Sequence, residues 1–252
     1  MKRNKLTKYL NELLECDRYK DYGPNGLQIE GTSEINKVGF AVSATRESVE
    51  LAVAENVDAL ICHHGLFWKF HGSKTITGTF GKRVIPLIKN DINLYGFHLP
   101  LDAHPILGNA AQLATSLGAT VVGPYGSFEG EPTGVEAKFD PPLNPAELKS
   151  KAEAHLNKTI IHAPAESEKI ERMGIITGGA NNDWPEAARR GMQAYMTGEI
   201  SEYNWHDSIE SNVHFFAGGH HATERGGVLA IKSLLEKEFN LECVFFDSLN
   251  LA

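Results

Sequence analysis

The stretch VGFAVSATRESVELAVAENVDALICHHG, Val38 to Gly65, decides the fold class. Val38 to Val42 is an unbroken apolar run, as expected for a strand buried on both faces. Ser43 to Asn56 follows as a helix, with Val49, Leu51, Ala52 and Val53 as its apolar positions. Ala59 to Cys62 is a second buried strand and stops abruptly at His63-His64-Gly65. A strand, a helix and a strand in so short a span predict an α/β unit with a largely parallel sheet.

The same alternation extends outward. Upstream, Leu6, Tyr9, Leu10, Leu13 and Leu14 share one helical face, and the turn-rich Tyr22 to Gly26 leads into Leu27-Gln28-Ile29. Downstream, Ile92 to Phe97 predicts a strand, Ala110 to Leu117 a helix and Ala119 to Val122 another strand. Pro141, Pro142 and Pro145 break the chain before a helix over Ala146 to Leu156. The order then repeats. A shift of 135 positions lays Ile35–Phe40 on Ile170–Ile175, and Ala59-Leu60-Ile61 on Ala194-Tyr195-Met196 (35 to 170, 59 to 194). After a register change, Asn212–Phe216 falls on Asn93–Phe97. Helix Gly227 to Phe239 and strand Leu241 to Phe246 complete the second copy. The expectation is two similar α/β lobes from a tandem duplication, 1–125 and 126–252, with the last strand completing the second sheet. In open α/β sheets, ligands bind beyond the carboxyl ends of the strands, so the cleft between two such lobes is the expected site.

Composition narrows the function classes. The net charge of −8 argues against avid binding to a phosphate backbone, though not against a local basic patch that could meet nucleic acid. Three scattered cysteines with no CxxC spacing argue against thiolate zinc sites and disulfide frameworks. The basic, amphipathic N-terminus is not a signal peptide, and no run approaches the ~18 apolar residues of a membrane span. A cytoplasmic protein is expected. No P-loop, strand-linked GxGxxG or GxSxG motif is present.

Eleven histidines are the compositional oddity. His63-His64 ends one strand, and His220-His221 follows another after Gly218-Gly219. His98-Leu99-Pro100-Leu101-Asp102 follows a third. His220 and Glu224, four apart, share a helical face. His63, His64, Asp102, His220 and Glu224 are therefore candidate metal ligands. Imidazole and carboxylate without thiolate suit zinc, iron, manganese, cobalt or nickel. Five donors suit two divalent ions, which in such sites lie ~3.5–4 Å apart. His98 and His104 flank Asp102 as candidate catalytic proton carriers or as partners that orient the ligands. His221 should point elsewhere on the helix, His214 reads as structural, and His71, His155, His162 and His206 as surface residues. Phe67, Trp68 and Phe70 form an aromatic cluster that suits a purine base, a hydrophobic lid or a subunit contact.

DALICHHGLFW (Asp58–Trp68), HLPLDAHPILGN (His98–Asn109), GGHHATERGG (Gly218–Gly227) and NGLQIEG (Asn25–Gly31) resemble the GTP cyclohydrolase I type 2 homologue family. It is also called the NGG-interacting-factor-three-like family, and the likeness spans the chain. Members commonly carry HHP where this chain has His63-His64-Gly65. The resemblance implies a dinuclear metal centre between two lobes, with Glu224 bridging, His63 and Asp102 on one ion, and His64 and His220 on the other. It also implies a homohexameric ring.

The family label points to a hydrolase that opens the purine ring of GTP with hydroxide supplied by the metals. Two alternatives stay open: another metallohydrolase such as a phosphoesterase, and a non-catalytic, metal-loaded binding or regulatory ring. Lys69 and Arg225 are the cations near the motifs that suit a substrate phosphate.

Overall fold

The apolar runs fold as strands covered on both faces by helices, in a computed structural model that describes all 252 residues. In the first half, α1 (Arg3–Leu13) precedes β1 (Gly26–Ile29), β2 (Lys37–Ser43), α2 (Arg46–Ala54) and β3 (Ala59–His64). Then come α3 (Gly78–Lys89), β4 (Asn93–Gly96), α4 (Leu99–Ala103), α5 (Asn109–Ser116) and β5 (Thr120–Tyr125). After β6 (Gly134–Leu143) the order recurs as α6 (Pro145–Leu156), β7 (Ile161–Ala163), β8 (Ile170–Ile175), α7 (Pro185–Arg189) and β9 (Ala194–Thr197). It ends with α8 (Glu202–Glu210), β10 (His214–Ala217), α9 (His220–Thr223), α10 (Arg225–Phe239) and β11 (Glu242–Phe245).

Two units result. One comprises Met1–Leu101 with Val228–Leu249, the other Asp102–Gly227 with Asn250–Ala252. The first holds a sheet of order β1-β4-β3-β2-β11. Its β4, β3, β2 and β11 run parallel, and β1 is antiparallel at the edge. Its core gathers Val49 and Ala52 of α2, Leu60 and Cys62 of β3, Val84 and Leu87 of α3, and Phe246. Thr45 caps α2 by accepting from the Ser48 N–H, and the Ser48 hydroxyl returns the contact to the Thr45 N–H. That fixes where β2 ends and the helix begins.

The second sheet has the order β5-β6-β8-β9-β10-β7. Again three central strands, β8, β9 and β10, run parallel, and β7 is antiparallel beside β10. Asn144 caps α6 through the Ala146 N–H, with Pro145 in the first helical turn, where a missing N–H costs nothing.

The pairing supports the two-lobe reading and corrects three details of it. Val38 faces Ala59, and Met173 faces Ala194, so the shift of 135 holds across both central pairs (38 to 173, 59 to 194). For the next strand, Ala59 faces Asn93 and Ala194 faces His214, so His214, not Asn212, matches Asn93. A two-residue slip preserves the alternation of a strand's faces, so the sequence pattern does not reveal it. The strand expected to complete the second sheet is β11, and it pairs in parallel with β2 in the first. Conversely, β5 pairs with β6 in the second sheet. Apolar alternation marks a segment as a strand but does not say which open sheet edge receives it. Pro141 and Pro142 do not end β6; they fall where its register against β8 shifts, between Lys138 and Leu143. No helix is long and apolar enough to cross a membrane.

Candidate metal centre

In the first unit, β3 delivers His63 and His64 at its carboxyl end, and His98 follows β4. His63 is fully buried. Its Nδ1 lies 2.9 Å from the Phe97 carbonyl. A carbonyl only accepts, so Nδ1 carries a proton, and in the neutral ring Nε2 holds the lone pair. His64 Nδ1 lies 3.0 Å from Ser43 Oγ, at the end of β2. The His63 and His64 rings are 4.5 Å apart between centroids, and His98 stands 5.2 Å from His63. One ring nitrogen from each of His63, His64 and His98 lies within 4.8 Å of the others.

His98 is held by a residue that sequence reasoning missed. Its Nδ1 is 2.7 Å from Oδ1 of Asp21, a buried carboxylate that also accepts from Asn25 Nδ2 and from the backbone N–H groups of Tyr22 and Leu99. Burial works to raise the Asp21 carboxyl, but the His98, Asn25 and Leu99 hydrogen bonds outweigh it and hold it below the usual carboxylate range. Asn25 Oδ1 accepts from the His98 N–H, tying the turn before β1 to the end of β4. The motif NGLQIEG thus contributes its first residue to the site. Gln28, in the same motif, accepts from the Leu66 N–H and donates to the Pro24 carbonyl. Its amide fills the space that a Cβ at Gly65 would enter.

Trp68 stands edge-on to His98 at 5.0 Å and stacks on Phe70. A narrow cleft lined by His63, His98, Pro24, Phe67 and Trp68 adjoins a cavity of about 220 Å³ that shares the last three residues and adds Lys69 and Lys74. Cys62 is fully buried, and burial pushes its thiol well up, so it packs rather than ligates.

The second unit holds Asp102, His220 and Glu224. Asp102 is buried, and its Oδ1 accepts from Asn109 Nδ2 and Thr177 Oγ1, both at 2.9 Å. Asn109 in turn accepts from the Gly227 N–H at the start of α10. His220 Nε2 is 3.3 Å from Oε1 of buried Glu224, so the expected pairing along the chain holds although α9 ends at Thr223. His220 Nδ1 lies 2.6 Å from Oε1 of Glu199, a second residue the sequence did not single out. The Glu224 carboxylate, helped by Glu199, outweighs burial and pushes His220 up to about 9. A metal ion must displace that proton to bind.

Gly178 shapes the pocket for Glu224. It sits at φ +69°, and a Cβ there would stand 2.1 Å from Glu224 Oε1 and 3.1 Å from His220 Nε2. This backbone cradle and the imidazole–carboxylate donors fit a divalent transition metal or zinc. His104 also shapes the local backbone. Its Nδ1 accepts from the N–H groups of Ile106 and Leu107, which builds the turn before α5. His214 is buried within β10, bonded to His162, as a structural histidine should be.

The sequence model of the family described as Duf34/NIF3 (NGG1p interacting factor 3) matches residues 1–250. A curated protein of Escherichia coli (strain K12), named GTP cyclohydrolase 1 type 2 homolog, is 43% identical over 253 residues, covering 100% of both chains. Among solved structures, protein ybgI, described as of unknown function, is 42% identical, with a TM-score of 0.93 and 100% of both chains covered. TTHA1606 from Thermus thermophilus is 30% identical, with a TM-score of 0.90 and 99% of both chains covered.

Proposed function

The chain belongs to the Duf34/NIF3 family, and from that premise we propose that it is a metal-dependent hydrolase acting on a purine nucleotide. His63, His64, Asp102, His220 and Glu224 are the residues proposed to hold two divalent ions. The observation that carries this reading is how the donors are prepared. His63 Nδ1 is bonded to a carbonyl and His220 Nδ1 to a carboxylate, the arrangement that metal-ligating histidines adopt with their second nitrogen. Asp102 is fixed through one oxygen by Asn109 and Thr177.

Bound there, the ions would supply water activated near neutral pH and Lewis-acid polarisation of the substrate. The remaining work belongs to this chain's side chains. Phe67 and Trp68, which line the adjoining cavity of about 220 Å³, would present apolar surface to a purine base there. Lys69 Nζ is given to the Asp21 carbonyl, so Lys74, on the adjoining cavity, is the better placed cation for a phosphate.

The test is to load the protein with zinc, manganese, iron, cobalt or nickel, incubate it with GTP, and measure formate and inorganic phosphate side by side. Formate lost in His63→Ala supports ring opening. Phosphate without formate replaces this reading with a phosphoesterase, and neither product replaces it with a binding role. Elemental analysis should give close to two ions per chain. Glu224→Ala should lose most of the metal and His155→Ala none; equal metal in both would remove the ligand set.

A further inference from the structure

We propose that Arg83 and Lys74, set around Phe80 on the first unit, form an anion subsite that takes the phosphate groups of the nucleotide. The inference rests on the purine-nucleotide reading above and names the side chains that recognise its charged end.

Arg83 differs from most of the arginines in having no carboxylate. Arg3, Arg18, Arg46, Arg172 and Arg190 each meet a glutamate. Arg83, half-buried on α3, meets the Ala44 carbonyl through Nη1 at a long 3.5 Å, and its Nε is buried with no partner. A guanidinium carries five N–H donors in a fixed fork. Nη1 lies on the Cδ side of the group, so anchoring it leaves the Nε and Nη2 edge uncommitted. That edge is the one that holds two oxygens of a phosphate side by side. A buried donor left unpaired costs stability, and an arriving oxyanion supplies the missing acceptor.

The surroundings join Arg83 both to the strand ends that carry His63 and His64 and to the cavity. Ala44 follows Ser43, whose hydroxyl meets His64 Nδ1, and the Ala44 N–H donates to the His64 carbonyl at 2.8 Å. Arg83 therefore stands at the carboxyl ends of β2 and β3, the edge of an open α/β sheet where ligands gather. The N-terminus of α2, capped by Thr45, adds the positive end of a helix dipole beside it. On α3, Phe80 lies one turn before Arg83 on the same face. Its ring meets Phe67 edge-on at 5.7 Å, and Lys74 Nζ stands 5.2 Å from its centroid. Phe67 and Lys74 both line the cavity of about 220 Å³. A base seated there would have its phosphates within a chain of contacts that ends at Arg83.

The test uses the full-length chain freed of metal by a chelator, so that phosphate oxygens meet only protein groups. Inorganic triphosphate is titrated by calorimetry, at low ionic strength, into wild type, Arg83→Gln, Arg83→Lys, Lys74→Gln and Lys89→Gln. Arg83→Gln should weaken binding by roughly 10–100-fold, through loss of charge-assisted hydrogen bonds. Arg83→Lys keeps the charge without the fork and should recover part of the loss. Lys74→Gln should weaken binding by less than Arg83→Gln. Lys89→Gln, which removes one charge from the last turn of α3, should match wild type. Wild-type affinity in Arg83→Gln or Lys74→Gln, an equal loss in Lys89→Gln, or no binding to wild type would overturn the inference. The formate measurement judges the proposed function separately. Formate made by a protein whose triphosphate affinity ignores Arg83 leaves that function standing without this subsite. Binding that depends on Arg83, with no formate, keeps the subsite and removes the hydrolase. If Arg83→Gln fails to fold, as judged by circular dichroism, Arg83→Lys decides, and wild-type affinity in it overturns the proposal.

Discussion

The two units share the order of four strands, β1-β4-β3-β2 answering β7-β10-β9-β8, but use the same positions in opposite ways. In the first, Ser43, His63 and His64 at the ends of β2 and β3 bring side chains to the site: one hydroxyl and two imidazoles. At the shift of 135 that aligns the paired strands, these positions become Gly178, Gly198 and Glu199 in the second. There the strand ends have been stripped rather than furnished. A Cβ on Gly198 would meet the His220 Cα at 2.6 Å, and one on Gly178 would meet the Glu224 carboxylate. The glycines admit a histidine and a glutamate from the segment after β10, and Glu199 becomes the acceptor that orients that histidine. The same strand pattern can thus place polar side chains on the strand itself or clear the strand so that the following segment supplies them. The first unit is rich in imidazole and the second in carboxylate.

The largest expected effect comes from filling the cleared positions. Gly178→Ala must hold a non-glycine residue at φ +69° and displace Glu224, while Gly198→Ala must push the backbone of His220. Strain and overpacking of this kind cost about 1–3 kcal/mol each. For a chain of this size that is a fall in Tm of roughly 2–12 °C. Gly123→Ala, where a Cβ meets nothing within 4 Å, is the control. Thermal melts and metal content are the measurements. If Gly178→Ala and Gly198→Ala keep wild-type Tm and metal, the glycines do not clear space and the contrast with the first unit fails.

A smaller effect sharpens the comparison at Glu199, which stands where the first unit has His64. As an orienting acceptor for His220 Nδ1, it should cost about 10–100-fold in metal affinity when changed to Gln. Titration of the metal-free protein by NMR should show His220 falling from about 9 toward its ordinary value, since one of the two carboxylates raising it has lost its charge. A complete loss of one ion, as severe as in Glu224→Ala, would instead make Glu199 a ligand, the role proposed for His64.

What the sequence revealed follows from how far apart the cooperating residues lie along the chain. The doublet His63-His64 was legible because an apolar strand, Ala59 to Cys62, ends against it, and His220 with Glu224 because four residues separate them. Asp21 was not legible, because its partner His98 lies 77 positions away and only the fold joins them. Glu199 was hidden in the same way, 21 positions from His220. Helix α3 went unread because Gly78, Gly81 and Pro86 dilute its pattern, although Val84 and Leu87 are buried in the core. The exchange of the last strands, β5 and β11, was invisible because each has the alternation of an edge strand in either sheet.

The smallest effect concerns a part of the second unit with no counterpart in the first: the paired histidines His162 of β7 and His214 of β10. His214 Nε2 donates to the Ser167 carbonyl at 2.8 Å, so its Nδ1 is an acceptor, and both the Ala165 N–H and His162 Nε2 point to it at 3.1 Å. In this arrangement the His214 ring is neutral, and His162 carries its proton on Nε2. Burial first, then the repulsion that a second protonated ring at His214 would meet and the nearby Lys149, lower His162 to about 4; burial also lowers His214. With a folded value below the ordinary 6.5, the unfolded chain binds more protons across that window. Stability then rises with pH from about 4 to 6.5 and is lost as the solution is acidified. His220 works in the opposite sense, its contribution lost as pH rises from 6.5 toward about 9, so the two windows do not overlap. His162 is partly exposed, and solvent screening keeps its share modest. The measurement is a set of denaturant or thermal melts between pH 4 and 7.5 with a chelator present, so that metal release does not contribute. His162→Gln keeps an amide donor for His214 Nδ1 but cannot titrate, and its stability should fall less steeply below pH 6.5 than that of wild type. Parallel slopes in the two proteins would mean that the pair does not couple acidity to the stability of this unit.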